Sequence, residues 1–267
     1  MTPDPANHTD PARDSGPAPS PPDQAIAPAR MSQATTGRGL WFLAQTQERL
    51  AAGLAMIAGF VDAYGIITYG TYLSFMSGNT TQTGYQIGQG NFAAALPSAL
   101  AIVFFVGGSF AGAWLAESAS GRVRRLIFAV VAASLALIIA LTLLGLSYGG
   151  AHIATVSFAM GLMNTTLSRV GAQSVSLTFV TGTLSRLGVH LALAIRRAPL
   201  ADSAGPWDTH LHRALLLTGV WGAFLAGGVL SGAATPRFGA WVLLFPTLVL
   251  CALAAFDRSV SAGVDRR

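Results

Sequence analysis

The sequence contains no lysine and little charge of any kind: only 10% of its 267 residues are charged, against about 25% in an ordinary soluble domain. This scarcity excludes an ordinary soluble enzyme. The one cysteine, Cys251, lies in an apolar run, which excludes an intramolecular disulfide and a cysteine-based metal cage. All 16 basic residues are arginines, and they stand singly or in twos and threes between apolar runs. They therefore form no basic face for nucleic acid.

Apolar residues dominate instead, at 52% of the chain with 30 glycines and a mean hydropathy of +0.54. About 20 apolar residues are needed to cross the hydrocarbon core of a bilayer. Six runs are long enough and predict membrane crossings at 50–69, 93–116, 124–147, 151–168, 213–233 and 238–256. A further stretch at 177–195 is interrupted by hydroxyl residues, a glycine, Arg186 and His190. We interpret it as a broken, re-entrant or interfacial segment and not as a seventh crossing.

The first 48 residues differ from the rest, because they hold eight of the 13 prolines and no apolar run before Leu40. Such a segment buries too little surface to offset its ordering entropy, so we predict a disordered tail at 1–48. It lacks the apolar core of a signal peptide. We assign 49–258 to a six-helix membrane domain and 259–267 to a short cytoplasmic tail.

The distribution of arginines predicts the orientation of the crossings. The loop at 70–91 and the link at 147–150 hold no basic residue. Only Arg237 lies on the side of these two segments. The other arginines from residue 122 onward collect in the alternate loops and at the chain end: Arg122, Arg124, Arg125, Arg169, Arg186, Arg196, Arg197, Arg213, Arg258, Arg266 and Arg267. Because cytoplasmic loops carry the excess of basic residues, both termini are expected in the cytoplasm.

Three short blocks recur in the same order in the two halves of the chain. The pairs are 55–62 with 159–164, 75–80 with 179–184, and 105–112 with 225–232. The offset between copies grows from 102 to 104 to 120 residues, as loop insertions would produce. Each copy holds three crossings, and an odd number inverts the second copy. The predicted fold is therefore an all-α membrane protein of six transmembrane helices in two inverted three-helix repeats, with broken or re-entrant segments near 77–88 and 179–190.

These blocks resemble the YoaK family of bacterial integral membrane proteins. The resemblance rests on Ala-Gly-Phe-Val-Asp-Ala at 58–63, Ser-Gly-Asn-Thr at 77–80, the Gly-Gly helix, Gly-Leu-Met-Asn at 161–164 and Thr-Gly-Thr-Leu at 181–184. It covers roughly 50–256. One departure is Ser77, where that family more often has threonine, which keeps the hydroxyl. The resemblance implies a six-helix inner-membrane protein of a domain of unknown function with a loosely assigned transport role.

Asp62 is the one acidic residue deep inside a predicted crossing, where a carboxylate costs about 2.5–3.5 kcal/mol on insertion scales. It lies on the small-residue face of its helix, and under the predicted symmetry its counterpart is Asn164. One interpretation makes Asp62 a proton or cation coupling group. The other makes it a structural clasp with Asn164, or a cap on backbone amides freed at the following break.

The two glycine-containing breaks are the candidate substrate site. Discontinuous helices at matching places in inverted repeats mark such sites in transporters. Glycine permits positive φ, and hydroxyl and amide side chains satisfy the freed backbone groups. The alternative is an ordinary helix cap at the lipid surface. The residues concerned are Ser77, Gly78, Asn79 and Thr80 in the first half and Thr181, Gly182 and Thr183 in the second.

Glycine patterns in two other helices predict close helix packing. The residues are Gly107, Gly108, Gly112, Gly227, Gly228 and Gly232. Whether they join helices of one chain or form a homodimer face stays open at this point. His190, His210 and His212 lack companion ligands, so we assign no metal and no cofactor. No catalytic motif stands in the sequence, and we expect no enzyme.

The function that these features favour is a permease or carrier that resembles a secondary transporter. Its partners would be the lipid bilayer and an unidentified small molecule, carried with proton coupling if Asp62 titrates. The alternative is a membrane scaffold or sensor that does not transport and uses the same polar residues as structural clasps. A carrier should have polar groups around a hydrated cavity, whereas a scaffold should satisfy those groups internally.

Overall fold

The computed structural model describes residues 33–118, 123–146, 148–167, 180–203 and 205–264, and within these ranges it contains helices and no strand. The α-helices are α1 (Gln33–Tyr69), α2 (Met76–Gly88), α3 (Phe92–Ser118), α4 (Val123–Leu143), α5 (Gly149–Asn164), α6 (Val180–Ile195), α7 (His210–Phe238) and α8 (Leu244–Val264). A 3-10 turn at Thr165–Leu167 extends α5, and another at Gly239–Leu243 joins α7 to α8.

Among the described residues, four stretches of helix are long and apolar enough to cross a membrane: Gln45–Tyr69, Phe92–Ala116, Val123–Leu143 and His210–Ala255. The last of these is 46 residues long and comprises α7, the second 3-10 turn and most of α8. That is about twice the length needed for one crossing. The described part of the chain is therefore all-helical and has the long apolar helices of a membrane protein.

Each apolar run expected from the sequence overlaps one helix, namely α1, α3, α4, α5, α7 and α8 in chain order. The largest difference is at α1, which begins at Gln33 and takes in residues that we assigned to the disordered tail. The last proline of the tail is Pro28, so no proline interrupts a helix that begins at Gln33. Residues 1–32 of the predicted tail and residues 265–267 of the predicted C-terminal tail lie outside the described residues.

The long helices pair mainly across the two halves of the sequence. α1 packs most extensively on α7, α3 on α5, and α4 on α8. The buried core lies between these pairs and includes Leu54 and Ile57 of α1, Leu135 of α4, and Met160 of α5. Of the two short helices, α2 packs on α3 and α6 packs on α7.

Glycines bring α1 and α7 into backbone contact. A Cβ atom at Gly59 of α1 would overlap the carbonyl oxygen of Phe224. A Cβ atom at Gly227 of α7 would in the same way overlap the carbonyl oxygen of Met56. The two helices therefore touch at two successive points where no side chain larger than hydrogen fits.

The α3–α5 pair makes the same kind of contact. A Cβ atom at Gly108 of α3 would overlap the carbonyl oxygen of Phe158, and one at Gly161 of α5 would overlap that of Phe105. Ser109 lies beside this contact and its hydroxyl donates a 3.3 Å hydrogen bond to the carbonyl of Gly161. In both pairs, small residues allow the backbones to approach.

The glycines singled out from the sequence differ in their surroundings. Gly112 lies against the side chain of Thr165, whereas a Cβ at Gly107 or Gly228 would make only ordinary contacts at 3.8 Å. Gly232 has nothing within 4 Å of that position among the described residues, so it makes no close contact of this kind within the described chain. A homodimer face at Gly232 stays a prediction.

Candidate functional site

The turn between α1 and α2 closes on Asp62. This carboxylate is 3% exposed and accepts hydrogen bonds from the backbone N–H groups of Leu73 at 2.9 Å, Ser74 at 2.6 Å and Phe75 at 3.3 Å. The Ser74 hydroxyl donates a further bond of 2.7 Å. Four donors from one turn therefore converge on a single buried carboxylate.

The position of Asp62 shows that this turn folds back along α1. Asp62 precedes the end of α1 at Tyr69 by seven residues, which is about 10 Å of helix at 1.5 Å per residue. The amides of residues 73–75 lie beside it, immediately before α2 begins at Met76. The carboxylate therefore binds amides of the turn that leads into α2, whereas the cap expected from the sequence would have bound amides of the break at residues 77–80.

Asn79 fixes the same turn from inside α2. Its side chain is fully buried, and its Oδ1 accepts bonds from the Thr71 hydroxyl at 2.9 Å and the Tyr72 N–H at 3.1 Å. Its Nδ2 donates to the carbonyl of Tyr72 at 2.7 Å. The Thr71 hydroxyl also lies 3.1 Å from that of Ser98 on α3. Asn79 therefore links the turn to both α2 and α3.

The other residues of the first break line the outer surface of α2. Ser77 and Thr80 are exposed, and the Thr80 hydroxyl donates to the carbonyl of Met76 at 2.8 Å. Gly78 lies within the helix, and the positive φ that we expected of it occurs at Gly70 instead, with φ 70°. Gly78 is needed for space, because a Cβ there would lie 2.6 Å from the ring of Phe75.

The second break is described only from Val180 onward, because residues 168–179 lie outside the described ranges. Thr181 is exposed, Gly182 half-buried and Thr183 buried, all within the first turn of α6. Asn164 ends α5, and its buried Oδ1 has no hydrogen-bond partner among the described residues.

The structure does not bring all the predicted residues to one point. None of the four hydrogen bonds to Asp62 comes from Asn164. The two breaks also lie beside different helices, since α2 packs on α3 and α6 on α7. The described contacts thus join Asp62 to the turn before the first break, and Asn79 of that break bonds to the same turn.

A polar cluster that the sequence did not predict lies between α6 and α7. The Nδ1 atoms of His190 and His210 are 2.9 Å apart, and both side chains are at least nine-tenths buried. At this distance one ring donates its N–H and the other accepts. Nε2 of His210 is buried and has no partner among the described residues. From the sequence we assign these histidines no metal, because they lack companion ligands.

Arg213 organises the chain next to this pair. It makes a bidentate contact with Asp208, with two N–H···O distances of 2.8 Å. It also donates to Asp202 at 3.0 Å. The side chains of Arg213 and Asp208 are 6% exposed, whereas that of Asp202 is 62% exposed. The polar stretch at 208–213, with Thr209 as the N-cap of α7, is the one signal in the sequence that points to this cluster.

The electrostatics around His190 disfavour a proton in the packed arrangement. Burial lowers the pKa of His190 below the usual histidine value, and the neighbouring His210 and Arg213 lower it further. Asp202 and Asp208 act in the opposite direction. His190 is therefore neutral near pH 7 and accepts a proton only in more acidic solution.

A second histidine contact joins α1 to α5. Nδ1 of His152 lies 3.1 Å from the hydroxyl of Tyr69 at the end of α1. His152 is 2% exposed, and its Nε2 has no hydrogen-bond partner among the described residues. Within those residues, no group of three or more His, Cys, Asp or Glu could hold a metal ion.

Two apolar grooves lie on the outside of the helix bundle. One, of about 760 Å³, runs between α4 and α8 and is lined by alanines together with Arg125 and Cys251. The other, of about 400 Å³, is lined mainly by aromatic residues, including Phe60, Trp241 and Phe245. Neither groove is lined by Asp62 or Asn79.

Comparison with known proteins gives matches without an assigned activity. Residues 50–256 match the family described as "Protein of unknown function (DUF1275)". The chain is similar to the UPF0700 transmembrane protein RA0705 of Rhizobium meliloti (strain 1021), with 31% identity over 163 residues, which is 59% of this chain and 68% of that protein. No solved structure matches.

Proposed function

Because this chain belongs to the DUF1275 family of proteins of unknown function, we propose its role from the site: a bacterial inner-membrane carrier for a small molecule. The carrier consists of two inverted repeats, each with three crossings and one short helix between the first and second crossing. The observation that carries this proposal is that the glycine contacts between α1 and α7 recur between α5 and α3 with the two halves of the chain interchanged. We call each such pair of related contacts an exchange.

The first exchange relates α1–α7 to α5–α3. Gly161 of α5 lies 102 positions after Gly59 of α1, and Phe224 of α7 lies 119 positions after Phe105 of α3. Gly59 meets the carbonyl of Phe224, and Gly161 meets that of Phe105. The contact of one pair thus recurs in the other with the two halves interchanged, as a two-fold axis in the membrane plane requires.

The second exchange has the same two offsets. Phe158 lies 102 positions after Met56, and Gly227 lies 119 positions after Gly108. Gly108 meets the carbonyl of Phe158, and Gly227 meets that of Met56. The contacts therefore pair Gly108 with Gly227, one residue away from the offset of 120 that the sequence blocks suggested.

The two short helices occupy equivalent places in this arrangement. α2 has 13 residues and α6 has 16, which is about 20 Å and 24 Å of helix. Both are shorter than the ~30 Å hydrocarbon core. Such discontinuous helices at matched positions of inverted repeats flank substrate sites in secondary transporters. The exposed hydroxyls of Ser77, Thr80 and Thr181 would offer hydrogen bonds to a polar substrate.

Asp62 positions α2 in this proposal. Its four hydrogen bonds all come from the turn before α2, and they leave little capacity for a transported ion. The same observation favours the second candidate function, a scaffold or sensor that does not transport. In that case Asp62 and Asn79 serve only to hold the turn, and α2 presents its hydroxyls to another protein.

The inverted arrangement predicts the sides of two loops. We expect a cysteine at Asn91, after α2, to react with a membrane-impermeant maleimide outside intact cells, whereas one at Ala201, after α6, should react only after permeabilisation. Both positions are exposed, and both variants carry Cys251→Ser. If the two cysteines label from the same side, the inverted repeat is wrong.

The carrier proposal predicts a ligand. We expect a metabolite library to contain a polar compound that raises the melting temperature of the protein in nanodiscs. Thr80→Val should raise the ligand concentration needed for half of that shift at least tenfold. Thr218→Val is the matched control, because its hydroxyl also bonds the carbonyl four residues earlier, at 2.9 Å. A library without any stabilising compound would favour the scaffold.

A further inference from the structure

We propose that His190 and His210 form a proton-binding site that holds α6 against α7 and releases it when both rings are protonated. The inference rests on the carrier proposed above and identifies the proton as its coupling ion. In this proposal the histidine pair, and not Asp62, binds and releases the coupled proton. The pair has the geometry for this task, since it bridges one of the two short helices to a long one.

The direct contact between the rings permits only some protonation states. With both rings neutral, one Nδ1–H donates across the 2.9 Å gap and the other Nδ1 accepts. One added proton leaves this hydrogen bond in place, and Nε2 of His210, which is buried and has no described partner, is the open position for it. With both rings protonated, two N–H groups and two positive charges face each other, and the contact is lost.

The surrounding charges set how many protons the packed state retains. Arg213 faces the pair from α7, and Asp202 and Asp208 face it from the connection between α6 and α7. Two carboxylates against one guanidinium leave one negative charge, which compensates a single proton on the pair. A second proton finds no compensation, and burial penalises it further.

Other titratable groups near this end of α6 and α7 are engaged elsewhere or exposed. His212, in the first turn of α7, lies 2.9 Å from Glu48 of α1. Arg186 is exposed on α6, one turn before His190. A change in proton binding at the pair therefore acts first on the α6–α7 contact, because His190 and His210 belong to different helices.

The resulting mechanism joins pH to the position of the second short helix. At neutral pH the pair holds α6 on α7 with at most one shared proton. In acid, α6 moves away from α7 because only then can both histidines be solvated as cations. The exposure of α6, which carries Thr181 and Thr183, thus changes when the histidine pair binds protons. A proton-coupled carrier needs such a link between proton binding and the exposure of its substrate site.

The test is a distance between α6 and α7 measured with spin labels at Ser185 and Leu215 by pulsed electron paramagnetic resonance in nanodiscs. Both positions are exposed, and the background is Cys251→Ser. Between pH 8 and pH 5 we expect the mean distance to lengthen by about 5 Å, one helical turn. His190→Gln should remove the change, because glutamine can still bond to His210 but does not titrate in this range.

Controls separate this site from other acid effects. His212→Gln should keep the full change in distance, and His210→Gln should abolish it even if His190→Gln fails to fold. A wild-type distance that stays constant from pH 8 to pH 5, or a full response in both His190→Gln and His210→Gln, would overturn the proposal.

The measurement needs no substrate, so its failure differs from failure of the carrier proposal. Stabilising ligands together with a constant distance would leave a carrier without this coupling site. A pH response in a protein that no compound stabilises would leave the proton site in place and remove its transport role.

Discussion

Asp62→Ala is expected to lower the free energy of unfolding by about 3 kcal/mol or more. The substitution removes the acceptor of four hydrogen bonds, and three of the donors, one at Leu73 and two at Ser74, belong to fully buried residues. A buried donor that loses its acceptor costs about 1–3 kcal/mol, and apolar surroundings offer no water as a replacement. Chemical unfolding in mixed micelles measures the difference.

Two milder variants test the cause of that loss. Asp62→Asn keeps an acceptor oxygen for the amides and should cost about half as much or less. Ser74→Ala removes only the hydroxyl bond of 2.7 Å and should cost about 1 kcal/mol. If Asp62→Ala unfolds at the same denaturant concentration as the wild type, the carboxylate does not hold the turn.

Gly59→Ala and Gly161→Ala are expected to destabilise the protein by about 3 kcal/mol each, although each adds a single carbon. In both cases the new Cβ would overlap a backbone carbonyl of the partner helix, and two helix backbones cannot yield as a flexible side chain does. The effects should be similar at the two sites, since the contacts are equivalent under the proposed symmetry.

Gly53→Ala is the matched control for this pair. It lies in α1, as Gly59 does, but has nothing within 4 Å of its Cβ position. Alanine there should be neutral or stabilising by up to about 1 kcal/mol, because alanine favours helix over glycine. Thermal unfolding of the three variants side by side gives the comparison. Equal midpoints for Gly53→Ala and Gly59→Ala would show that α1 and α7 are not in backbone contact.

Much of the architecture was predictable because it depends on local properties of the chain. Apolar runs of about 20 residues fix where helices lie, and α3 and α7 contain their predicted runs with only small differences at the ends. The start of α1 was not predictable in this way, since the segment after Pro28 is neither apolar nor rich in helix breakers. The offset of 120 that the sequence suggested pairs Gly107 and Gly108 with Gly227 and Gly228, whereas the helix contacts relate Gly108 to Gly227, an offset of 119. Matching of residue types thus favoured a register one residue away from the one that the contacts have.

In the candidate site, too, some features were predictable from the sequence and others were not. That Asp62 needs nearby donors was foreseeable, because a carboxylate in an apolar helix is costly without them. The sequence pointed to amides of the break at 77–80, whereas the donors lie in the preceding turn at 73–75. The His190–His210 contact was not foreseeable, since it joins two helices across a connection whose path depends on Arg213 and its two aspartates. No fixed spacing in a sequence encodes a contact of that kind.

The glycine contact between α1 and α7 also constrains how the protein is made. α7 begins at His210, 141 positions after α1 ends at Tyr69. At a synthesis rate of about 5–20 residues per second, the nascent α1 resides in the bilayer for roughly 7–28 s before its partner leaves the ribosome. During that interval lipid tails cover the glycine groove, and they must be displaced when α7 arrives. Assembly of the bundle is therefore a late event that awaits the second half of translation.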